Sequence, residues 1–443
     1  MTTHARDFLK RNKASYLFIL LAIPVAILLI AVARYTLQPE PFWHMIDHQR
    51  AQIDVYENKS PQAAGRKAEL ERLWGFDVSC QQETGRVVFN QHPVLSTYHA
   101  QWSYSGISTF AHLEHVKCLT EPDVPFDIGI IGAPFDTAVS YRTGARFGPR
   151  AIRAASSRQS RTRGWNPRAG INPYKAGLTI VDCGDIPLLP VDNTVALEQM
   201  TQAMTELGSR ARPLAPGTLP RDQPPPRLLT LGGDHSVALG ALRALRRVHG
   251  RPAAVLHFDA HLDTWVPPSS AADFAWFSDA GRFNHGDVFA LAWAEGLIAN
   301  GTSAHVGLRT RLSGPADLAD DDAMGFLRVA ADDVDEIGTG GILAKVRARI
   351  GDAPVYLSFD IDVVDPGLAP GTGTPEVGGF SSREVVRLLR GLEGLNIVGA
   401  DIVEVNPSYD GPGEATALVA AQVAYEILTT WAKGSSGYVD NSR

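Results

Sequence analysis

The sequence predicts an α/β fold built on a parallel sheet of about eight strands covered by helices on both faces. Three observations predict it. From about residue 125 onward, short apolar runs of strand length alternate with helix-length segments. The runs are almost continuously apolar, which marks strands buried on both faces. Several runs also end in acidic residues, at the strand ends where parallel sheets bind ligands.

The elements follow in order. Residues 14–33 form an uncharged apolar stretch of 20 residues, preceded by Arg6, Lys10, Arg11 and Lys13 against only Asp7. A membrane span needs about 17–25 such residues, and the basic flank would stay cytosolic and send the rest outward. Pro24 is tolerated in a membrane helix. Ala31-Val-Ala33 also resembles a signal-peptidase site. A signal-anchor is favoured over a cleaved signal, and either one directs the globular part into the secretory pathway, as a single-pass membrane protein or a secreted one. The sequons Asn58-Lys-Ser60 and Asn300-Gly-Thr302 agree with this route. The domain scheme is therefore 1–33 signal segment, 34–102 extension or linker, 103–435 catalytic domain and 436–443 tail.

Strands are expected at 126–131, 178–182, 227–231, 253–259, 303–307, 326–329, 354–360 and 396–401. Helices are expected at 148–157, 193–208, 236–248, 286–296, 340–350, 382–391 and 414–431. The proline-rich stretch 210–227 reads as a surface loop.

Bulk composition narrows the function classes. A hydrophobic fraction of 44% supports an ordinary globular core, and the net charge of −7, with no Lys/Arg run, argues against nucleic acid. Cys80, Cys118 and Cys183 have no zinc-finger spacing. Cys183, at a strand end, reads as a core residue, whereas Cys80 and Cys118 are candidates to pair in an oxidising compartment.

Three motifs carry chemistry: Leu231-Gly-Gly-Asp-His-Ser236, His257-Phe-Asp-Ala-His-Leu-Asp263 and Ser358-Phe-Asp-Ile-Asp-Val-Val-Asp-Pro366. Each sits at the end of a predicted strand. Asp259, His261 and Asp263 are spaced two apart, so an extended chain points all three to one side, and Asp360 and Asp362 likewise. Burying so many ionisable groups without a cation is costly. With His235 the set holds four carboxylates and two imidazoles, too many for one ion and suited to two ions sharing bridging carboxylates. Oxygen-rich donors with a minority of imidazole favour Mn²⁺. His257 and His305 read as satisfied core histidines, Asp234 and Ser236 as groups that orient His235, and Asp365 and Asp401 as structural acids.

These motifs resemble those of the ureohydrolases, the arginase and agmatinase family, over residues 103 to 432 or so. Gly132-Ala-Pro-Phe-Asp136, Gly144-Ala-Arg-Phe-Gly-Pro149 and Ala369-Pro-Gly-Thr-Gly-Thr-Pro-Glu376 resemble the agmatinase branch, and the long extension and loop insertions resemble its secreted fungal members. The resemblance implies a three-layer α/β/α fold and a symmetric trimer or hexamer. It implies one Mn²⁺ on His235, Asp259, Asp263 and Asp360 and a second on Asp259, His261, Asp360 and Asp362. It further implies that His285 shuttles a proton to the leaving amine, that Glu404 holds the guanidinium, and that Thr374 lies near the substrate.

On this resemblance the substrate is a small guanidino compound, with agmatine, cleaved to putrescine and urea, ahead of 4-guanidinobutanoate. The stretch 264–284 is longer than an arginase substrate loop, which disfavours arginine. Asp287 departs from the usual pattern and has two readings, an acid that attracts an ammonium tail or, slightly favoured, a cap for the following helix. Arg142 and Arg146 read as anchors of their turn or of a subunit contact, and Trp265 as a pocket cap or a packing residue. A non-catalytic, membrane-tethered binding protein on the same fold is the reading from another class. The complete six-residue set speaks against it.

Overall fold

The computed structural model describes residues 103–213, 223–266 and 283–435, all within one compact unit, Gln101–Arg443. The apolar stretch 14–33, Asn58, Cys80, half of the proline-rich loop (214–222) and most of the 264–284 stretch lie outside the described residues. Among the described residues no helix is long and apolar enough to cross a membrane.

All eight strands form: β1 Ile128–Gly132, β2 Ile180–Asp185, β3 Arg227–Leu231, β4 Ala254–Phe258, β5 Ser303–Leu308, β6 Phe326–Ala330, β7 Val355–Asp360 and β8 Ile397–Val403. They make one sheet in the order β2-β1-β3-β8-β7-β4-β5-β6, and every ladder is parallel. The described helices are α1 Gly148–Ala155, α2 Asn193–Gly208, α3 Val237–His249, α4 Val288–Ala294, α5 Pro315–Met324, α6 Asp333–Ile350, α7 Ser382–Arg390 and α8 Ala415–Ser435.

Alternate strand residues feed two separate cores. Ile128, Ile130, Leu256 and Phe258 pack with residues of α6, α7 and α8. Ile131 and Val255 pack with residues of α2, α3 and α4. Each strand loses water on both faces and is therefore mostly apolar, and the polar residues inside it, such as His257, His305 and Asp401, are paired by hydrogen bonds. The result is a three-layer α/β/α fold.

Two elements differ from expectation. Helix α5 was not foreseen, because Pro315-Ala-Asp-Leu-Ala-Asp-Asp-Asp-Ala-Met324 has no apolar stripe and buries only Asp321 and Met324. Helix α6 begins earlier than residue 340, as a turn separated by non-helical Gly338 (φ 63°) from the stretch that was read.

The cysteine expectation is corrected. Cys118 pairs with Cys183 across 65 residues of chain, with their Cα atoms 5.1 Å apart. The segment before Cys118 runs along edge strand β2, with Val116 N donating to Asp182 O and Asp182 N to Glu114 O. That alignment brings Cys118 onto Cys183, a partner that neither cysteine's sequence context reveals.

Candidate metal centre

The acidic and imidazole groups come from four strands that are neighbours at the centre of the sheet: β3, β8, β7 and β4. Their carboxyl ends converge because of local backbone chemistry. A Cβ on Gly233 would lie 1.7 Å from the Phe135 carbonyl oxygen, so only glycine lets the end of β3 pass there. Asp234 N then donates to that oxygen at 2.7 Å, and Glu404 N donates to Gly233 O at 2.8 Å. Asp263 (φ 52°) and Glu404 (φ 61°) are non-glycine residues in the left-handed region, a conformation that costs about 1–3 kcal/mol and clusters at functional sites.

His235 Nδ1 lies 3.0 Å from Asp259 Oδ2, 3.0 Å from Asp263 Oδ2 and 3.2 Å from Asp360 Oδ2. His261 Nδ1 lies 3.1 Å from Asp259 Oδ1 and 3.0 Å from Asp362 Oδ2. The six residues read from the three motifs are thus brought together, with Asp259 facing both imidazoles through different oxygens. The cause differs from the one inferred from spacing. β4 ends at Phe258, and Asp263 reaches the site through its left-handed backbone. Asp362 reaches it through the 3-10 turn Ile361–Val363. Turns, and not strand alternation, aim these side chains.

One relay shows what His235 is set to do. Ser358 Oγ donates to Asp401 Oδ1 at 2.8 Å, so its oxygen is left to accept from His235 Nε2, also at 2.8 Å. That places the ring proton on Nε2 and turns the Nδ1 lone pair to the three carboxylates, where Nδ1 has no hydrogen-bond partner. A lone pair facing carboxylates in a fully buried site calls for positive charge between them, a proton in the bare cluster or a metal ion. Asp401, read as structural, thus orients a candidate ligand.

The electrostatics agree. Burial first, then Asp362 and Asp259, hold the Asp360 carboxyl well above its usual range. Burial and Asp259 push Asp362 up to about 6. Burial opposes charge on His235 and His261, yet the facing carboxylates raise both well above the ordinary imidazole value. Burial would raise Asp259 too, but His257, His235 and His261 bring it well below. The bare cluster cannot keep every carboxylate ionised without importing positive charge, so these donors fit a pair of divalent ions.

The other half of the site faces Glu404, whose Oε1 accepts from His235 N at 2.8 Å and lies 3.1 Å from His285 Nδ1. Glu404 Oε2 is buried and without a partner. Ser140, which sequence reasoning missed, holds the far side of His285: its N–H donates to Nε2 at 3.0 Å and its Oγ lies 2.7 Å from the same nitrogen. Burial disfavours the His285 imidazolium, but Glu404 outweighs it and lifts the pKa to about 9. The Ser140 N–H opposes a second proton, since it points at the nitrogen that would carry it. Thr374 Oγ1 is 3.4 Å from Asp362 Oδ2.

Asp287 does not cap the following helix α4, for which its side chain makes no hydrogen bond; it closes a capping box with Asn284 around the 3-10 turn His285–Asp287. It is buried, and its carboxylate oxygens accept from Asn284 N at 3.1 Å and Asn284 Nδ2 at 2.7 Å. Trp265 packs on Gly286, where a Cβ would come within 2.8 Å of its ring. Arg146 anchors its turn through Asp136, while Arg142 stacks between Tyr141 and Tyr409. His257 is the satisfied core histidine expected: it is fully buried, with Nε2 2.9 Å from Asp259 Oδ2 and Nδ1 2.7 Å from His305 Nδ1.

A parallel α/β sheet with convergent carboxylates and imidazoles at the ends of its central strands defines a metal-binding enzyme type of centre. Known proteins agree. The arginase family model matches residues 126–429. Putative agmatinase 3 of Schizosaccharomyces pombe is 46% identical over 335 residues, covering 74% of this chain and 81% of that protein. The guanidinobutyrase of Pseudomonas aeruginosa is 36% identical over 325 residues, covering 73% and 92%. Among solved structures, proclavaminate amidino hydrolase from Streptomyces clavuligerus superposes with a TM-score of 0.65 at 37% identity, covering 75% of this chain and 99% of that one. The chain belongs to the arginase family.

Proposed function

We propose that the chain hydrolyses agmatine to urea and putrescine at a dimanganese centre. The observation that carries this reading is Glu404 Oε2, a buried acceptor without a partner beside the metal cluster. A planar guanidinium supplies the charge-assisted hydrogen bonds it lacks. The 46% identity to a putative agmatinase supports agmatine as the substrate, and the more distant guanidinobutyrase keeps 4-guanidinobutanoate as the alternative.

His235, Asp259, Asp263 and Asp360 would hold one ion and Asp259, His261, Asp360 and Asp362 the other. Bound there, two Mn²⁺ would supply an activated water and stabilise charge developing at the guanidinium carbon. Glu404 binds and orients the guanidinium through Oε2. Through Oε1 it keeps His285 Nδ1 beside the same substrate group. Lifted to about 9 chiefly by Glu404, His285 carries a proton it can give to the leaving amine, returning to neutral imidazole. Thr374 steadies Asp362.

The test is urea release by the Mn²⁺-loaded full chain on agmatine, 4-guanidinobutanoate and arginine in parallel. Agmatine is expected to give the highest kcat/KM, and no urea from any of the three would end the reading.

We also propose passage through the secretory pathway, supported by the apolar stretch 14–33 and by the buried Cys118–Cys183 disulfide, a bond that persists in oxidising compartments. Thiol labelling of freshly lysed cells that finds both cysteines reduced would contradict it. A symmetric homo-oligomer, trimer or hexamer, is supported by the exposed Phe147, Trp165 and Leu418. A monomeric mass by light scattering would remove it.

A further inference from the structure

Behind the metal cluster a line of polar side chains crosses the sheet inside the apolar core. His257 on β4 and His305 on β5 are direct register partners, and Arg328 on β6 is the register partner of His305. His257 Nε2 lies 2.9 Å from Asp259 Oδ2, the two Nδ1 atoms are 2.7 Å apart, and His305 Nε2 lies 2.9 Å from Asp321 Oδ1. Arg328 Nη1 closes the line on Asp321 Oδ2 at 2.7 Å. His257, His305 and Asp321 are fully buried. Phe326 stacks on His305 at 4.1 Å, and Phe289 meets His257 edge-on at 4.6 Å.

Such a line is costly to bury unless its groups have partners; each ring nitrogen lies within 2.9 Å of one, and the three joints take one proton more than two neutral rings carry. An Nδ1–Nδ1 contact forces opposite roles on the two rings, one donating and the other accepting. The hydrogen bond made at the Asp321 end therefore holds both rings in place, and with them the Nε2 that His257 presents to Asp259. Asp321 has a second route to the centre. Thr264, which follows Asp263, donates its hydroxyl to Asp321 Oδ1 at 2.9 Å. One carboxylate on α5 thus braces both ends of the Asp259–Asp263 loop, and Arg328 fixes that carboxylate from outside.

We infer that Asp321, with His305, is a positioning residue for the metal centre, setting Asp259 through His257 and Asp263 through Thr264. Partners of this kind typically change metal affinity by about 10–100-fold. The inference rests on the dimanganese reading above.

Its test titrates the metal-free full chain with Mn²⁺ by calorimetry, followed by electron paramagnetic resonance of the loaded protein. Asp321→Asn is expected to weaken Mn²⁺ binding by about 10–100-fold and to alter the coupled two-manganese spectrum. KM for the substrate should stay unchanged at saturating metal, because Glu404 holds the guanidinium. Thr264→Val removes only the hydroxyl contact and guards against a misfolded Asp321 variant. It should weaken binding several-fold. Asp322→Asn, at the exposed side of Arg328, should leave affinity at the wild-type value. If both folded variants bind two ions within twofold of wild type and with its spectrum, the inference is overturned alone. If the wild-type chain itself takes up fewer than two ions, the dimanganese reading falls and takes the inference with it.

Discussion

Two buried clusters of charge sit at the carboxyl ends of strands in one sheet, and they neutralise themselves in opposite ways. At the end of edge strand β2, Arg153 lies between Asp182, at 2.9 Å, and Asp185, at 2.6 Å, and donates to Gly184 O as well. Burial opposes charge on Arg153, yet the two aspartates raise its pKa above the usual value. Asp182 also accepts from Phe110 N. At the ends of β3, β7 and β4 there are four carboxylates and two imidazoles with no arginine or lysine pairing to them among the described residues. The first cluster carries its cation in the sequence and is finished. The second lacks its cation and can be finished only by something bound. Buried acid is thus a sign of function where its counter-charge is absent, and a sign of structure where it is present.

The largest effect should come from the second cluster. Asp259 faces both imidazoles, so Asp259→Asn removes charge from both candidate ion positions at once. Urea release is expected to fall by on the order of a thousandfold or more, with metal content below two ions per chain and the fold intact by circular dichroism. A variant that keeps both ions and a tenth of the activity would show that neither candidate ion position depends on the Asp259 charge.

Arg153→Met breaks the comparison from the other side. It strands the buried Asp182 without its partner, which costs about 3–5 kcal/mol of stability for a buried pair. Urea denaturation should show that loss, while kcat per folded chain stays at the wild-type value. A loss of activity without a loss of stability would mean that the closed cluster is not merely structural.

How much of this contrast the sequence carried depends on the range of the forces involved. The eight strands are local events, each an apolar run with a polar end, and all eight were legible. The six candidate ligands were legible by residue type and motif, but the reason they converge was not. Alternation along an extended strand suggested it, whereas the left-handed Asp263 and the turn after Asp360 achieve it. Helix α5 hid because its one buried acid, Asp321, is bought by His305 and Arg328 on neighbouring strands and not by an apolar stripe. The Cys118–Cys183 bond, the Ser140 contact to His285 and the His257–His305 pair all join residues that meet only through the strand order. Asp287 was read as a cap for the helix after it, but it caps the 3-10 turn before it together with Asn284, a box that the spacing of the two residues carries.

The smallest effect is a dependence of stability on pH that should change sign with metal. In the bare cluster Asp362 is raised to about 6, and Asp360, His235 and His261 are raised as well. Each of these groups binds its proton more tightly folded than unfolded. Their contribution is therefore complete below their unfolded values and is lost as pH rises through the folded ones. For Asp362 the loss spans about pH 4 to 6 and is on the order of 3 kcal/mol. Asp259 is shifted the other way, so its contribution is present above that window and disappears only in stronger acid. Bound Mn²⁺ competes with the same protons, so its affinity rises as they leave. Melting temperatures in EDTA should accordingly fall from pH 5 to pH 8, while the gain on adding Mn²⁺ grows over the same range. In Asp362→Asn both trends should shrink together, because the asparagine neither titrates nor repels its neighbours. A metal-free protein as stable at pH 8 as at pH 5 would mean that the second cluster, like the first, is already neutral without help.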